Sequence, residues 1–279
     1  MGDYLKLFKN NVDYENYKEE YGSDMLTWSH CIEDIKLHKD ISLKLICTFN
    51  ITDINNPTKI LDETSNVKNI YIDGVKLDNV TTEYTFNTLG EHIVKYSLKK
   101  SVVGGFSGCT NLTDVIIPSG VTKIEDFAFS HCSGLVNVKI PNTVTSIGLQ
   151  SFASCTNLLS IEIPNSVITV GSTVLSNCGL ITISIPRSIT KIPMNFVRGC
   201  NSLTTAIIPD TVTSIGTYAF YCSSLLSVTC NAINPPTLGD NVFLFNPRNR
   251  KIYVPSSSVE AYKSANNWST YANAIEPIP

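Results

Sequence analysis

From about Phe106 to Pro255 the apolar and polar positions repeat one phrase, whose plainest copy is Phe129-Ser-His-Cys132-Ser-Gly-Leu135-Val-Asn-Val138-Lys-Ile140-Pro141-Asn-Thr-Val144-Thr-Ser-Ile147-Gly148. A cysteine recurs at 109, 132, 155, 178, 200 and 222, in steps of 23, 23, 23, 22 and 22 residues, and a proline recurs at 118, 141, 164, 186 and 209. Two independent landmarks that keep one period predict a solenoid of short coils. In the first half of a coil, Val115 and Ile117 alternate with Asp114 and Ile116, which is strand periodicity with one face turned inward. Pro118 then removes a donor and ends the strand. In the second half, Val121, Ile124, Phe127 and Phe129 are spaced by about three, which predicts a turn or short helical segment. Gly148, Gly171 and Gly216 fall where a tight turn is expected. Phe129, Cys132, Leu135, Val138 and Ile140 are the predicted inward set. Because no single unit covers its own apolar face, successive strands are expected to pair in parallel, one per coil.

The pattern changes on either side of the array. Leu43, Leu45, Cys47, Phe49 and Ile51 alternate strictly, Asn69–Ile72 and Val75–Leu77 flank an Asp73-Gly74 hairpin turn, and Glu83–Phe86 and His92–Tyr96 add two strands. These predict a small immunoglobulin-like β-sandwich over 39–100, covering the N-terminal end of the solenoid. Ahead of it, Asn11–Gly22 reads as a short helix whose Tyr14, Tyr17 and Tyr21 form one stripe, and Trp28–Ile35 reads as a strand. Residues 1–38 form a predicted N-terminal anchor. Its tyrosine stripe fits packing on the neighbouring domain as well as docking onto another subunit. The solenoid then occupies 101–255. Over 256–279 the spacing predicts an amphipathic capping helix, with Ser257 and Glu260 in capping-box register and Val259, Tyr262, Ala265, Trp268 and Tyr271 on one face. The fold class is therefore mainly β with short helices.

Copies such as Leu135-Val-Asn-Val-Lys-Ile-Pro-Asn-Thr-Val-Thr-Ser-Ile-Gly, preceded by Phe-x-x-Cys, resemble the BspA-like leucine-rich repeats of bacterial surface proteins, and the tail resembles their terminal segment. The resemblance implies a curved solenoid used for adhesion and protein binding, with no catalytic residues to carry over. Leu175 and Val197 depart from it by replacing the aromatic, one residue is missing after Cys178, and Phe220 lies only two residues before Cys222. The segment Phe8-Lys-Asn-Asn-Val-Asp-Tyr14-Glu-Asn-Tyr17 is similar to structural proteins of phages that infect Bacteroides-type bacteria.

A net charge of −3 with 16% charged residues gives neither a nucleic-acid footprint nor a polybasic membrane patch. Six of the nine cysteines belong to the repeat and are expected to form an inward ladder of reduced thiols, Cys230 takes an inward strand position, and Cys31 and Cys47 fall outside the array. The four histidines are scattered, and no cofactor or metal site is expected. His131 beside Cys132 is the nearest approach to a reactive pair, but 131 is a variable repeat position. What the array offers is a surface of two outward columns. One holds Asp114, Asn137, Ser160, Thr182, Thr205 and Ser227, and the other Ile116, Lys139, Glu162, Ser184, Ile207 and Thr229. The columns are expected to run as one ladder on the order of 25 Å long, serving either as a solvated face or as a recognition face for a host-surface glycan or protein. The N-terminal segment is expected to bind virion structural proteins in a homo-oligomer. The reading is a non-enzymatic display or adhesion protein, a phage virion fibre or decoration protein, since the opening residues lack a secretory h-region. The alternatives are a secreted bacterial cell-surface adhesin and a scaffolded enzyme or sensor.

Overall fold

The computed structural model describes residues 43–279. Tyr14, Tyr17, Tyr21, Cys31 and the expected 28–35 strand lie outside the described residues. The repeats form a solenoid whose coils have three sides. The front side is a parallel strand, as in Asn137–Lys139 beside Leu112–Ile116, with Val138 opposite Val115. The back side is a second, two-residue parallel strand, running through Val102–Val103, Lys123–Ile124, Ser146–Ile147 and Thr169–Val170. The expected turn or helical segment in the second half of the coil is thus a strand followed by turns. Each of these two-residue strands ends in a β-branched Val or Ile, which fits a half-buried pleated surface better than a helix. The third, turn side runs from about Phe127 to Cys132 and is held by main-chain bonds from coil to coil, such as Phe129 N to Ser151 O, Phe152 N to Val174 O, Val197 N to Ala219 O and Phe220 N to Val242 O.

The inward residues close a continuous core. Phe106, Phe129 and Phe152 stack with centroids 5.4 Å apart, and Phe220 stacks on Phe243 at 5.8 Å. Phe220 keeps its place in this column although one residue is missing before Cys222. Where Leu175 and Val197 interrupt the column, Phe196 is fully buried one position earlier. The six repeat thiols are free and buried. Cys132, Cys155, Cys178, Cys200 and Cys222 donate from Sγ to the carbonyls of Phe106, Phe129, Phe152, Leu175 and Val197 in the coil before, at 3.0 to 3.2 Å. The cysteine therefore supplies a weak donor for an inward carbonyl as well as apolar volume.

The glycine expectation needs correction. The φ of Gly148, Gly171 and Gly216 is not positive. A Cβ on each would instead lie about 2.4–2.5 Å from the preceding coil, against Asp126, Leu149 N and Met194 N respectively. Close approach of two coils selects glycine there. The left-handed positions fall elsewhere, on Phe127, Gln150, Thr173, Asn195, Tyr218 and Asn241.

At the N-terminal end, strand Lys44–Ile51 pairs antiparallel with Leu112–Ile116 on one side and with Gly90–Leu98 on the other, and Val67–Ile72 and Val75–Lys76 complete the sheet. Residues of the expected sandwich thus continue the solenoid's front sheet and occupy its first rung. The second layer consists of the two-residue pair Thr58–Lys59 with Glu83–Tyr84 and the segments around it. Tyr96 is buried where the layers meet, donating to Ile60 O at 2.6 Å and packing edge-on against Phe106 at 5.0 Å. Asp73 and Gly74 both have positive φ, as the hairpin reading requires.

The C-terminal end closes in pieces. Lys251–Val254 adds a parallel front strand to Ser227–Cys230, and Ile275–Pro277 adds another. Between them, the expected single helix is broken into a 3-10 turn at Ser256–Ser258, a helix α1 at Val259–Ser264 and a 3-10 helix at Trp268–Ala274. Ala265 is extended, Asn267 is left-handed, and no side chain caps α1. Tyr262 and Trp268 are buried and donate to Ala232 O and Pro236 O, each at 2.7 Å. The apolar face thus closes the core as expected, by different local geometry.

Candidate functional site

The front face does not form the single six-rung ladder expected of it. One sheet ends at coil 2 with Asn137–Lys139, and the next begins at coil 4 with Thr182–Ser184. Among the described residues, the main chain of Ser160, Ile161, Glu162 and Ile163 in coil 3 neither donates nor accepts a backbone hydrogen bond. On the back the break falls one coil later, after Thr169–Val170. The turn-side bonds run through both breaks. The interruption borders coil 4, whose corner between Cys178 and Leu180 is one residue shorter than the corresponding corner from Cys155 to Leu158. The corner itself stays in register, since Ile181 N donates to Leu159 O at 3.1 Å as Val136 N does to Thr113 O at 2.8 Å, and the ladder is lost only in the residues beyond it.

The result is a cleft of about 660 Å³ between coils 2 and 3, lined by Asn137, Val138, Lys139, Ile140, Ser160, Ile161 and Glu162, with Pro141 and Pro164 at its end. Its size is within the ordinary range for ligand clefts. Val138 and Ile140, expected inside, are half-buried because the cleft opens their side of the coil, and Ile161 beside them is half-buried too. The remaining inward residues, Phe129, Cys132 and Leu135, are fully buried.

The predicted face residues are placed as follows. Asn137 stands opposite Asp114, to which its Nδ2 donates at 2.7 Å, and Lys139 stands opposite Ile116. Thr182 and Ser184 stand opposite Thr205 and Ile207 in the second sheet, and those opposite Ser227 and Thr229. Ser160 and Glu162, between the two sheets, have no strand partner among the described residues. The columns therefore exist in two lengths, and four of their members, Asn137, Lys139, Ser160 and Glu162, line one cleft.

Reading only alternate positions missed a third column. The residue after each corner leucine also faces out, and in coils 2, 3 and 4 it is Val136 (41% exposed), Leu159 (51%) and Ile181 (47%), with Leu226 further along. Aligning the repeats reveals this stripe, because the same position is Thr113 and Thr204 elsewhere. Strict alternation fails there because the chain is still bending out of the corner. An apolar stripe beside a cleft with charged and amide groups has the composition of a protein-recognition surface.

The titratable groups give no other constellation. His131 is exposed, while the Cys132 thiol points inward to Phe106 O, so the two do not meet. Burial pushes the Cys109 thiol up to about 12 and raises Cys132 and Cys222 as well, so these sulfurs are poor nucleophiles at neutral pH. Among the described residues no group of histidines, cysteines and carboxylates is placed to hold a metal, and no helix is long and apolar enough to cross a membrane.

This architecture agrees with comparison to known proteins. The chain belongs to the family of BspA type leucine-rich repeats, whose model matches six copies over residues 99–204 and 176–271. Among solved structures it is similar to a leucine-rich cell surface protein from Faecalibacterium prausnitzii, with 30% identity, a TM-score of 0.51, and coverage of 62% of this chain and 46% of that one. It is also similar to the leucine-rich repeat protein of T. pallidum, with 24% identity, a TM-score of 0.48, and coverage of 59% and 75%. The chain thus spans about half the length of the F. prausnitzii protein. No curated protein matches it.

Proposed function

We propose that the chain is a non-enzymatic surface-display protein that binds a partner protein on its front face, taking an extended segment of that partner into the cleft between coils 2 and 3. The observation that carries this reading is the interrupted ladder, which among the described residues leaves coil 3 with main-chain groups that an added strand would satisfy. The apolar side chains of Val136, Leu159 and Ile181 beside the cleft give such a segment something to bury. Asn137, Lys139, Ser160 and Glu162 give it register. The family and the described F. prausnitzii relative support a bacterial cell surface as the setting. The virion-fibre reading rests on residues 1–38, which lie outside the described residues. Mass spectrometry of host envelope fractions against purified virions separates the two settings.

Binding is tested by engineering Asn137→Cys with Ser160→Cys, which ties the two coils across the cleft. Peptides selected from a displayed random library on the untied protein are expected to bind the reduced double variant and to lose binding when it is oxidised. Lys139→Ala with Glu162→Ala is expected to weaken them without lowering the melting temperature. Peptide binding that survives oxidation would remove the cleft from the mechanism. A glycan-array signal that the tie abolishes would replace the protein partner by a glycan.

A further inference from the structure

The turn side of coils 4 to 6 departs from the rest of the array in a way that stacking does not require. The position after the aromatic column is Ser130, Ala153 and Ser176 in earlier coils, all buried. It then becomes Arg198, Tyr221 and Leu244. Tyr218 and Phe245 occupy left-handed positions, which cost a bulky residue more than the asparagine or glycine found at Asn195 and Gly199. Four of these side chains, those of Arg198, Tyr218, Tyr221 and Phe245, converge. The Arg198 guanidinium lies 5.7 Å from the centre of the Tyr218 ring and 5.4 Å from that of Tyr221. The two tyrosines meet edge-on at 5.7 Å, and Tyr221 meets Phe245 at 4.9 Å. Phe245 is 65% exposed, and Leu244 beside it is exposed as well.

Among the described residues Arg198 pairs with no carboxylate, whereas Arg187 of the preceding front corner pairs with Asp210 at 2.7 Å. Two tyrosine rings hold the guanidinium, so little side-chain freedom is lost when its donor fork meets an oxyanion. The neighbouring Asp240 carboxylate accepts from Asn267.

We infer that Arg198, Tyr218, Tyr221, Leu244 and Phe245 form a second binding surface, which takes a protein segment presenting an Asp or Glu carboxylate next to an apolar side chain. The carboxylate meets the held guanidinium in a bidentate pair, and the apolar side chain covers Phe245 and Leu244. Arginine with tyrosine and other aromatic residues is the composition that carries binding energy at protein interfaces, which favours a protein over a sugar here. The surface lies on the turn side and is independent of the front-face cleft.

The test is an NMR titration that follows the Arg198 Nε–Hε resonance of the labelled full chain. The probes are two blocked tripeptides, Ser-Glu-Leu and Ser-Gln-Leu. The glutamate peptide is expected to shift the resonance to saturation at millimolar concentration, and the glutamine peptide to leave it in place. Phe245→Ser, at an exposed site, is expected to weaken the glutamate peptide about tenfold, equivalent to about 1.4 kcal/mol. Arg198→Lys, followed through the Tyr221 ring protons, is expected to weaken it at least as much while the melting temperature is unchanged. Equal response to both peptides, or none to either, overturns the proposal. Saturation by a glucuronate-containing tetrasaccharide below the peptide concentration would assign the surface to an acidic glycan. Self-association of the free chain that Arg198→Ala abolishes would assign it to a second copy.

Discussion

Gly148, Gly171, Gly216 and Gly239 occupy one position of the coil, where the preceding turn of chain passes so closely that a Cβ on Gly171 would lie 2.4 Å from Leu149 N and 2.6 Å from Leu149 Cα. Both contacts are backbone, so no side-chain rotation relieves them. Gly171→Ala is expected to destabilise by roughly 1–3 kcal/mol, the ordinary cost of overpacking. At Gly74 a Cβ meets nothing within 4 Å but the φ is +85°, so the cost there is purely conformational. Urea midpoints at constant m-value measure both. A Gly171→Ala protein with the wild-type midpoint would mean that the coils separate more easily than their contacts imply. The position of these glycines was legible in the period, but their reason was not. Sequence spacing locates a required absence of side chain without saying whether φ or a neighbour requires it. The cysteine was legible in the same partial way, as an inward residue whose bond to the preceding coil's carbonyl needed coordinates.

At the scale of elements, the hairpin turn at Asp73-Gly74 is tied to strand Gly90–Leu98 by His92. Its Nδ1 lies 2.6 Å from Asp73 Oδ2 and its Nε2 3.0 Å from Thr88 O. Nδ1 faces the carboxylate, while Nε2 faces the Thr88 carbonyl and, at 3.2 Å, the Thr88 hydroxyl, so the imidazolium can donate on both sides. Burial opposes that charge, but Asp73 and the Thr88 carbonyl prevail and raise His92 above its ordinary value. A raised folded value contributes stability that is fully present below the unfolded histidine value of about 6.5 and is lost as pH rises through the folded one. The melting temperature is therefore expected to fall as pH rises from about 6.5 through the raised value, and His92→Gln is expected to flatten that slope. An identical slope in the variant would place the pH dependence elsewhere. The hairpin could be read from Asp-Gly between alternating residues, whereas the clamp joins positions 73 and 92 that no local pattern connects. The C-terminal helix failed for a reason visible in its own spacing. Val259, Tyr262, Ala265, Trp268 and Tyr271 recur every three residues, which keeps one face in a 3-10 helix and spirals around an α-helix.

In the whole molecule, stability is expected to pass from coil to neighbouring coil, because each coil contacts only the coils beside it. Both ends are closed by aromatic residues, Tyr96 on Phe106 at one and Trp268 near Phe243 at the other, with ring centres 6.0 Å apart. Trp268→Ala removes a buried indole and its bond to Pro236 O, a loss of about 3–5 kcal/mol. How far that loss spreads depends on the interrupted ladder. The front strands from Thr182 to Pro277 form one sheet, and those from Asn137 back through Lys44–Ile51 form another, with coil 3 between them in neither. Near coil 3 the two halves are joined by the turn-side bonds, the corner bond from Ile181 N to Leu159 O and the core, and the back ladder breaks one coil later. Hydrogen exchange of Trp268→Ala is therefore expected to lose protection from the last strand back to coil 4, while Leu112–Ile116 and Gly90–Leu98 exchange as in the unaltered protein. In the unaltered protein, the amides of Ile161 and Glu162 are expected to exchange faster than those of Ile183 and Ala206, which lie in the paired ladder. Uniform loss of protection across both sheets would show that the core alone makes the array one cooperative unit. In that case the opening at coil 3 would be a local feature of the binding face with no part in dividing the fold.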